Sequence, residues 1–389
     1  VAGPIRELSY AALARRLRPE ARRLPLEGSL ELTFRCNLGC VHCYVNRPAD
    51  SAAARAGELP TARLLTLLDE LAEAGCLGLL LTGGEVLVRA DFPAVYLHAI
   101  RRGLLVTVFT NGTLLDDATA DLFDRYRPER VEISLYGMSP ETAERITRVP
   151  GSHAAALRGI RRLQTRGIPF RLKTMAMAWN RHEVPALAAY AAELGVGFTC
   201  DGLLNPRIDC GAGHAHPLQL PPEELLALDL EIPGRAAELR AFCKRFVRPG
   251  PGHPTDRLYL CGAAQTSFAI DPSGCLHPCL LARRAGFSLA ARPFAEGWNG
   301  PLARVRQRRR RRPSPCRDCG LISLCGSCPA AAELVHGDPE GLVVDACRTA
   351  HLRAHAVLGQ SGDHRADATC CLGAVSAIGA IPPPARAAR

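Results

Sequence analysis

Short apolar, β-branched runs recur along the first half of the chain, at Leu30–Phe34, Leu77–Thr82, Leu104–Thr110, Arg130–Leu135, Phe170–Met177 and Val196–Cys200. Between them lie stretches with apolar residues three and four apart: Thr61–Ala74, Phe92–Arg102, Ala118–Tyr126, Pro140–Thr147, Ala154–Arg166 and Val184–Leu194. The first pattern suits a buried strand, the second one face of a helix. Six alternations predict parallel β/α units with right-handed crossovers. An incomplete barrel and an open doubly wound sheet both satisfy that spacing. In either, the chemistry sits at the C-terminal ends of the strands.

Outside this core the pattern changes. Residues 1–27 form a charged extension with one helix expected at Tyr10–Arg23, and 28–205 hold the β/α units. Residues 206–256 turn rich in Pro, Gly and His and read as a bridge with short helices at Pro222–Leu228 and Arg235–Phe246. Residues 257–360 bring short strands, a turn at Asp271-Pro-Ser-Gly274 and clustered cysteines. The Pro/Ala/Arg tail, 361–389, is expected to be disordered. No repeat at a solenoid period appears. Neither a membrane-spanning run nor a cleavable signal is present, which makes the cytoplasm the expected compartment.

The net charge of +10 is local: seven arginines fall within Arg304–Arg312, and without them it is +3. No aromatic residues interleave that run to stack bases, so it reads as a solvated loop, with contact to an acidic leader peptide as the other use. Seventeen cysteines are the larger anomaly. In a chain with a full core and no export signal, they point to metal or catalysis rather than disulfides.

Cys36-x3-Cys40-x2-Cys43 follows the first strand directly. Three thiolates so spaced can hold a cube of iron and sulfide whose fourth iron lacks a protein ligand. A zinc site is the alternative; it wants four ligands, and His42 could be the fourth. The second strand ends in Gly83-Gly84-Glu85, where paired glycines permit close backbone approach and the carboxylate can take an ammonium group.

Cys36-Asn-Leu-Gly-Cys40-Val-His-Cys43-Tyr44, then Gly83-Gly84-Glu85, Thr110-Asn-Gly112 and Ile133-Ser-Leu-Tyr-Gly137, resemble the radical S-adenosylmethionine (SAM) superfamily over about residues 28–205. The resemblance implies a partial (β/α)6 barrel. It implies a [4Fe–4S] cluster on Cys36, Cys40 and Cys43 whose open iron binds the amine and carboxylate of S-adenosylmethionine. Gly83, Gly84 and Glu85 would contact that amine and Ser134 the ribose or carboxylate, with Arg145 or Arg148 assisting. Val86 stands where the family often has proline, which removes no ligand.

Further on, Cys261-x12-Gly274-x4-Cys279 precedes Cys316-x2-Cys319-x5-Cys325-x2-Cys328 and Cys347. From spacing alone, zinc ribbon and iron–sulfur readings both stand. The order is similar to the SPASM domain, a small cysteine-rich iron–sulfur domain with two auxiliary [4Fe–4S] clusters, although the family commonly has three residues where Cys325 and Cys328 enclose two. That resemblance assigns Cys316, Cys319, Cys325 and Cys347 to one cluster. Cys261, Cys279 and Cys328 fall to the other, with Cys275, Cys243 or an open iron completing it.

Such a pair of domains implies a radical enzyme acting on a ribosomally made precursor peptide, through a cross-link, thioether or oxidation. A flavodoxin or ferredoxin would supply electrons. The short stretch before the first strand implies a separate leader-binding protein. A tetrapyrrole or cofactor-pathway enzyme, a sulfatase-maturing enzyme and a zinc-stabilised nucleic-acid binder are the other readings. Cys200, Asp201, Asn205 and Arg207, at the end of the sixth strand, are candidate substrate contacts. Cys76, Cys210 and, as its other reading, Cys200 read as structural, Cys370-Cys371 as incidental, and His214, His216 and His253 as solvated loop residues; Trp179 and Trp298 carry no assignment.

Overall fold

The computed structural model describes residues 22–208, 216–246, 256–284, 286–312, 316, 319–325 and 328–358. Nearly all of the helix expected at Tyr10–Arg23 lies outside the described residues, as do Cys210, His214, His253, Cys370, Cys371 and the tail.

Six strands form as the pattern predicts: β1 (Glu27–Thr33), β2 (Gly78–Gly83), β3 (Leu105–Thr110), β4 (Arg130–Ser134), β5 (Phe170–Met175) and β6 (Gly197–Asp201). The helices between them are α1 (Thr61–Glu73), α2 (Phe92–Arg101), α3 (Asp117–Arg125), α4 (Pro140–Thr147), α5 (Ser152–Thr165) and α6 (Val184–Glu193). The strands pair in chain order, all parallel. The order never reverses, so the winding is that of a partial barrel and not of a doubly wound sheet. Alternate residues such as Leu30, Leu81, Val108 and Ile133 enter one core with Leu67 of α1 and Ile160 of α5. Glu31, Thr82, Glu132 and Lys173 occupy the opposite sheet face by the period-two rule.

Three further strands extend this sheet from far along the chain. β7 (Ser267–Ile270) lies parallel to β1, with Gly28 opposite Phe268, and β8 (Cys275–His277) and β9 (Phe287–Ser288) follow antiparallel. Gly28 permits this junction, because a Cβ there would stand 2.5 Å from the Phe268 ring. Phe268 meets Phe294 at a tilt and Trp298 edge-on, and Phe294 stacks on Trp298, which gives Trp298 a place in the core.

The chain forms two compact units. The first comprises residues 1–220, 257–309 and 328–339; the second comprises 221–256, 310–327 and 340–389. The stretch read as a bridge is folded. Within the second unit, α7 (Pro222–Glu231) and α8 (Arg235–Phe246) pack with α10 (Val344–Leu358). Buried Asp229 accepts from Arg235 at 3.2 Å and Arg353 at 2.7 Å, which ties the three helices. In the first unit, α9 (Pro329–His336) starts on Cys328 as its N-cap, with the Ala331 amide donating to Sγ at 3.3 Å. The arginine run is likewise not a solvated loop throughout. Arg304 and Arg306 are helical, and Arg306 donates to the carbonyls of Tyr259 and Cys261, both at 2.8 Å.

Candidate functional site

The loop carrying Cys36, Cys40 and Cys43 leaves β1 at the C-terminal end of the sheet. Gly39 and Val41 donate their amides to Thr147 and Ile146 at the end of α4, at 2.9 and 3.0 Å. The Cys43 amide donates to the Cys40 carbonyl at 3.1 Å, which turns the chain between the two thiols. Burial, then the charges of Glu85 and Cys43, push the Cys36 thiol up to about 12; burial and the other two thiols raise Cys40 too. Thiolates in a dry site repel one another unless a cationic centre offsets their charge.

The spacing decides which centre fits. Thiolates on a single zinc lie about 3.8 Å apart. Among the described residues, the one trio of His, Cys or carboxylate donor atoms mutually within 4.8 Å is Asp271, Cys275 and His277. Cys36, Cys40, Cys43 and His42 form no such trio. Sulfurs this far apart, each half-buried, suit a cube in which every thiolate takes a different iron. His42 packs edge-on against Tyr136, and burial, then His216, lowers its pKa to about 4, so it stays neutral.

Gly83 and Gly84 lie against the backbone that leads into the loop. The Gly84 amide donates to Thr33 at 2.7 Å and the Glu85 amide to Arg35 at 2.9 Å. Gly83 has φ +128°, and a Cβ on it would stand 2.1 Å from the Thr33 carbonyl oxygen. The Glu85 carboxylate is fully buried and accepts from Leu87 N at 3.1 Å, Thr110 Oγ1 at 2.8 Å and Asn111 N at 2.7 Å. Asn111 passes the link on, donating to Asn37 Oδ1 at 3.0 Å and to Cys36 Sγ at 3.7 Å. Three motifs far apart in sequence thus meet as one hydrogen-bonded brace behind Cys36.

A second brace is ionic. Glu58 takes Arg35 at 2.8 Å and Arg89 at 3.2 Å, Arg89 also pairs with Asp91 at 2.7 Å, and the Thr33 hydroxyl donates to Glu58. Both guanidiniums are buried. Removing the carboxylate strands Arg35 and leaves Arg89 with Asp91 alone, which costs about 3–5 kcal/mol for a buried pair. Glu58→Ala is therefore expected to lower the denaturation midpoint sharply, with Glu58→Gln falling between it and the unaltered chain.

Ser134 ends β4 and lines a cleft with Leu38, Asn111, Tyr136, Thr147 and His153. Its side chain is bonded to Tyr136, whose phenol burial holds well above its usual range. Arg145 and Arg148 both stack on Trp179, at 4.0 and 5.6 Å from the ring. Asp201 accepts from the Leu203 amide at 3.1 Å, and Arg207 donates to Asn46 at 3.1 Å near Cys43.

Two residues acquire roles that the sequence reading missed. His216, read as solvated, donates Nε2 to the Val41 carbonyl at 3.1 Å and accepts from Leu218 N on Nδ1, so it fastens the cysteine loop. Glu183 caps α4: Ser139 Oγ and Thr142 Oγ1 donate to it at 2.6 Å, and Met138 N at 2.5 Å. Burial pushes this carboxyl up, yet those donors prevail and hold it at about 2. A depressed carboxyl stabilises the fold above its unfolded value of 4.5, and that gain disappears as pH falls through about 2. Glu183→Gln should therefore flatten the acid-side decline in unfolding midpoint over that window. An E-x-x spacing could not have revealed either partner, since both contacts are long-range.

The later cysteines fall into two groups. In the first unit, Cys279 feels the charges of Cys328 and Cys261, while those on Cys275 come from Asp271 and Arg283. In the second, Cys319 and Cys325 pack against Leu239, Cys243 and Leu324; Cys316 and Cys347 belong to the same unit.

Residues 30–191 match the Radical SAM superfamily. The chain is 28% identical to the PqqA peptide cyclase of Granulibacter bethesdensis over 346 residues, 87% of this chain and 90% of that protein. It is 35% identical to the AdoMet-dependent heme synthase of Methanosarcina barkeri over 165 residues, 42% of this chain and 46% of that one. Among solved structures it resembles Streptococcus suis SuiB bound to S-adenosylmethionine (TM-score 0.64, 15% identity, 87% of this chain and 81% of that). It also resembles anSMEcpe with bound AdoMet (TM-score 0.64, 13% identity, 86% and 97%). The family implies S-adenosylmethionine and one [4Fe–4S] cluster, and the wide cysteine trio at the end of β1 fits the latter. Residues 30–191 of the chain therefore form a radical SAM domain.

Proposed function

We propose that this radical enzyme modifies a ribosomally made precursor peptide. One observation carries the reading: similarity to PqqA peptide cyclase runs through 87% of the chain, whereas that to the heme synthase covers 42%. The first takes in the cysteine-rich remainder as well as a radical SAM core.

Cys36, Cys40 and Cys43 hold the cluster, Gly83, Gly84 and Glu85 receive the amino group of S-adenosylmethionine, and Ser134 its ribose or carboxylate. When bound, cluster and cofactor supply a 5′-deoxyadenosyl radical that abstracts hydrogen from carbon. The chain's own residues position and shield. Asn111 and the Glu58 network fix the Cys36 segment, while Leu38 and Tyr136 keep water from the cleft. Two auxiliary [4Fe–4S] clusters complete the enzyme, one on Cys261, Cys279 and Cys328, the other on Cys316, Cys319, Cys325 and Cys347. The grouping of these cysteines by unit supports that division. A separate leader-binding protein and a flavodoxin or ferredoxin complete the cytoplasmic system.

The test incubates anaerobically reconstituted protein with reductant, S-adenosylmethionine and any short peptide found encoded beside its gene, with PqqA, the peptide its relatives are named for, run in parallel. Peptide that loses hydrogen mass in step with 5′-deoxyadenosine supports the reading. Turnover of a tetrapyrrole with an unchanged peptide would replace it.

A further inference from the structure

Asp271, Cys275 and His277 share one hairpin, on the turn before β8 and on β8 itself. Leu276 enters the core, so its neighbours Cys275 and His277 project from the other sheet face. The turn is tightly built. Asp271 Oδ1 accepts from Ser273 N at 2.9 Å, Ser273 Oγ at 2.7 Å and Cys275 N at 2.9 Å, leaving Oδ2 for His277 Nε2 at 3.1 Å. That pairing makes Nε2 the donor and leaves a lone pair on Nδ1. His277 is 3% exposed, and its Nδ1 is buried without a hydrogen-bond partner.

The thiol and this nitrogen border the same space. A Cβ added to Gly286 would lie 2.4 Å from Cys275 Sγ and 3.4 Å from His277 Nδ1. The donor atoms of the three residues lie within 4.8 Å of one another. A structural Asp–His staple accounts for Nε2, and the Phe287 backbone bonds to the thiol, but Nδ1 stays unexplained, and a buried polar atom without a partner is costly.

We propose that Cys275 Sγ and His277 Nδ1, with Asp271 on the far ring nitrogen, bind a single divalent cation whose remaining positions are filled by water. The donor set selects zinc: thiolate and imidazole are its usual ligands, and a carboxylate behind the imidazole is the usual second partner. The assignment takes Cys275 out of the auxiliary cluster of Cys261, Cys279 and Cys328. It stands independently of whether those clusters form.

Zinc and iron are measured in the same anaerobically reconstituted samples, with zinc affinity titrated against a chromophoric chelator. The unaltered protein is expected to hold about one zinc per chain at this site. Cys275→Ser and His277→Asn should lose it with iron unchanged, and Asp271→Asn should weaken zinc about 10–100-fold. Cys328→Ala should lose iron and keep zinc. The proposal is overturned if Cys275→Ser loses iron while zinc is unaffected, or if the unaltered protein binds no zinc. Low iron in every sample would count against the clusters alone, since the zinc comparison still reads.

Discussion

Replacing Cys36, Cys40 or Cys43 with alanine is expected to reduce reductive cleavage of S-adenosylmethionine to background, read as 5′-deoxyadenosine released. Each thiol is one of three on the loop, and His42, the other donor there, packs edge-on against Tyr136 and makes no close donor trio with them. Two thiolates cannot hold the cube with one iron open, so the loss should exceed the roughly 10–100-fold that removing an outer partner costs. Asn111→Ala is the matched comparison. It removes one donor to Cys36 Sγ and leaves the ligands, so its effect should fall within that 10–100-fold range. Turnover surviving in Cys40→Ala would place the cluster elsewhere.

Gly84→Ala is expected to do comparable damage without touching a ligand. The new Cβ would lie 2.3 Å from the Arg35 carbonyl oxygen and 2.7 Å from that of Phe34, and neither is a side chain that can swing away. Relief requires the β1 exit to move, breaking the Gly84–Thr33 and Glu85–Arg35 hydrogen bonds and shifting Cys36. Overpacking of about 1–3 kcal/mol and two hydrogen bonds of about 1 kcal/mol each are then lost. Iron retention and 5′-deoxyadenosine formation should both collapse. Gly103→Ala controls for backbone strain alone: φ is +79° but a Cβ there meets nothing within 4 Å, so about 1 kcal/mol is expected. An iron-replete, active Gly84→Ala protein would show that the glycine pair does not set the loop.

The β/α core was legible because each of its signals is local. Apolar runs such as Val106 and Val108, and helical spacing such as Leu64, Leu67, Leu68 and Leu71, lie within one element and ended up buried together. Strand order was not legible: spacing allowed two windings, and only the pairing of β1 with β2 and onward in sequence distinguishes them. β7 was harder still, since its partner β1 lies far off in the chain and the evidence for pairing is a missing side chain at Gly28. The arginine run misled for a related reason. Composition suggested solvation, whereas the Tyr259 and Cys261 carbonyls supply partners for Arg306. In the site, cysteine spacing and the glycine pair were visible as motifs. The carboxylate of Glu85 bracing Asn111, His216 on the loop and Glu183 under α4 depend on chain crossings no spacing encodes.

The central claim is that the thiols of both cysteine-rich regions hold iron–sulfur clusters and that the first of them performs radical chemistry. The iron, sulfide and zinc content of protein purified and reconstituted without oxygen tests it most directly. About 12 iron and 12 sulfide per chain are predicted, falling by about 4 of each when Cys36, Cys40 and Cys43 are replaced together. Protein that carries zinc throughout and no iron would contradict the account.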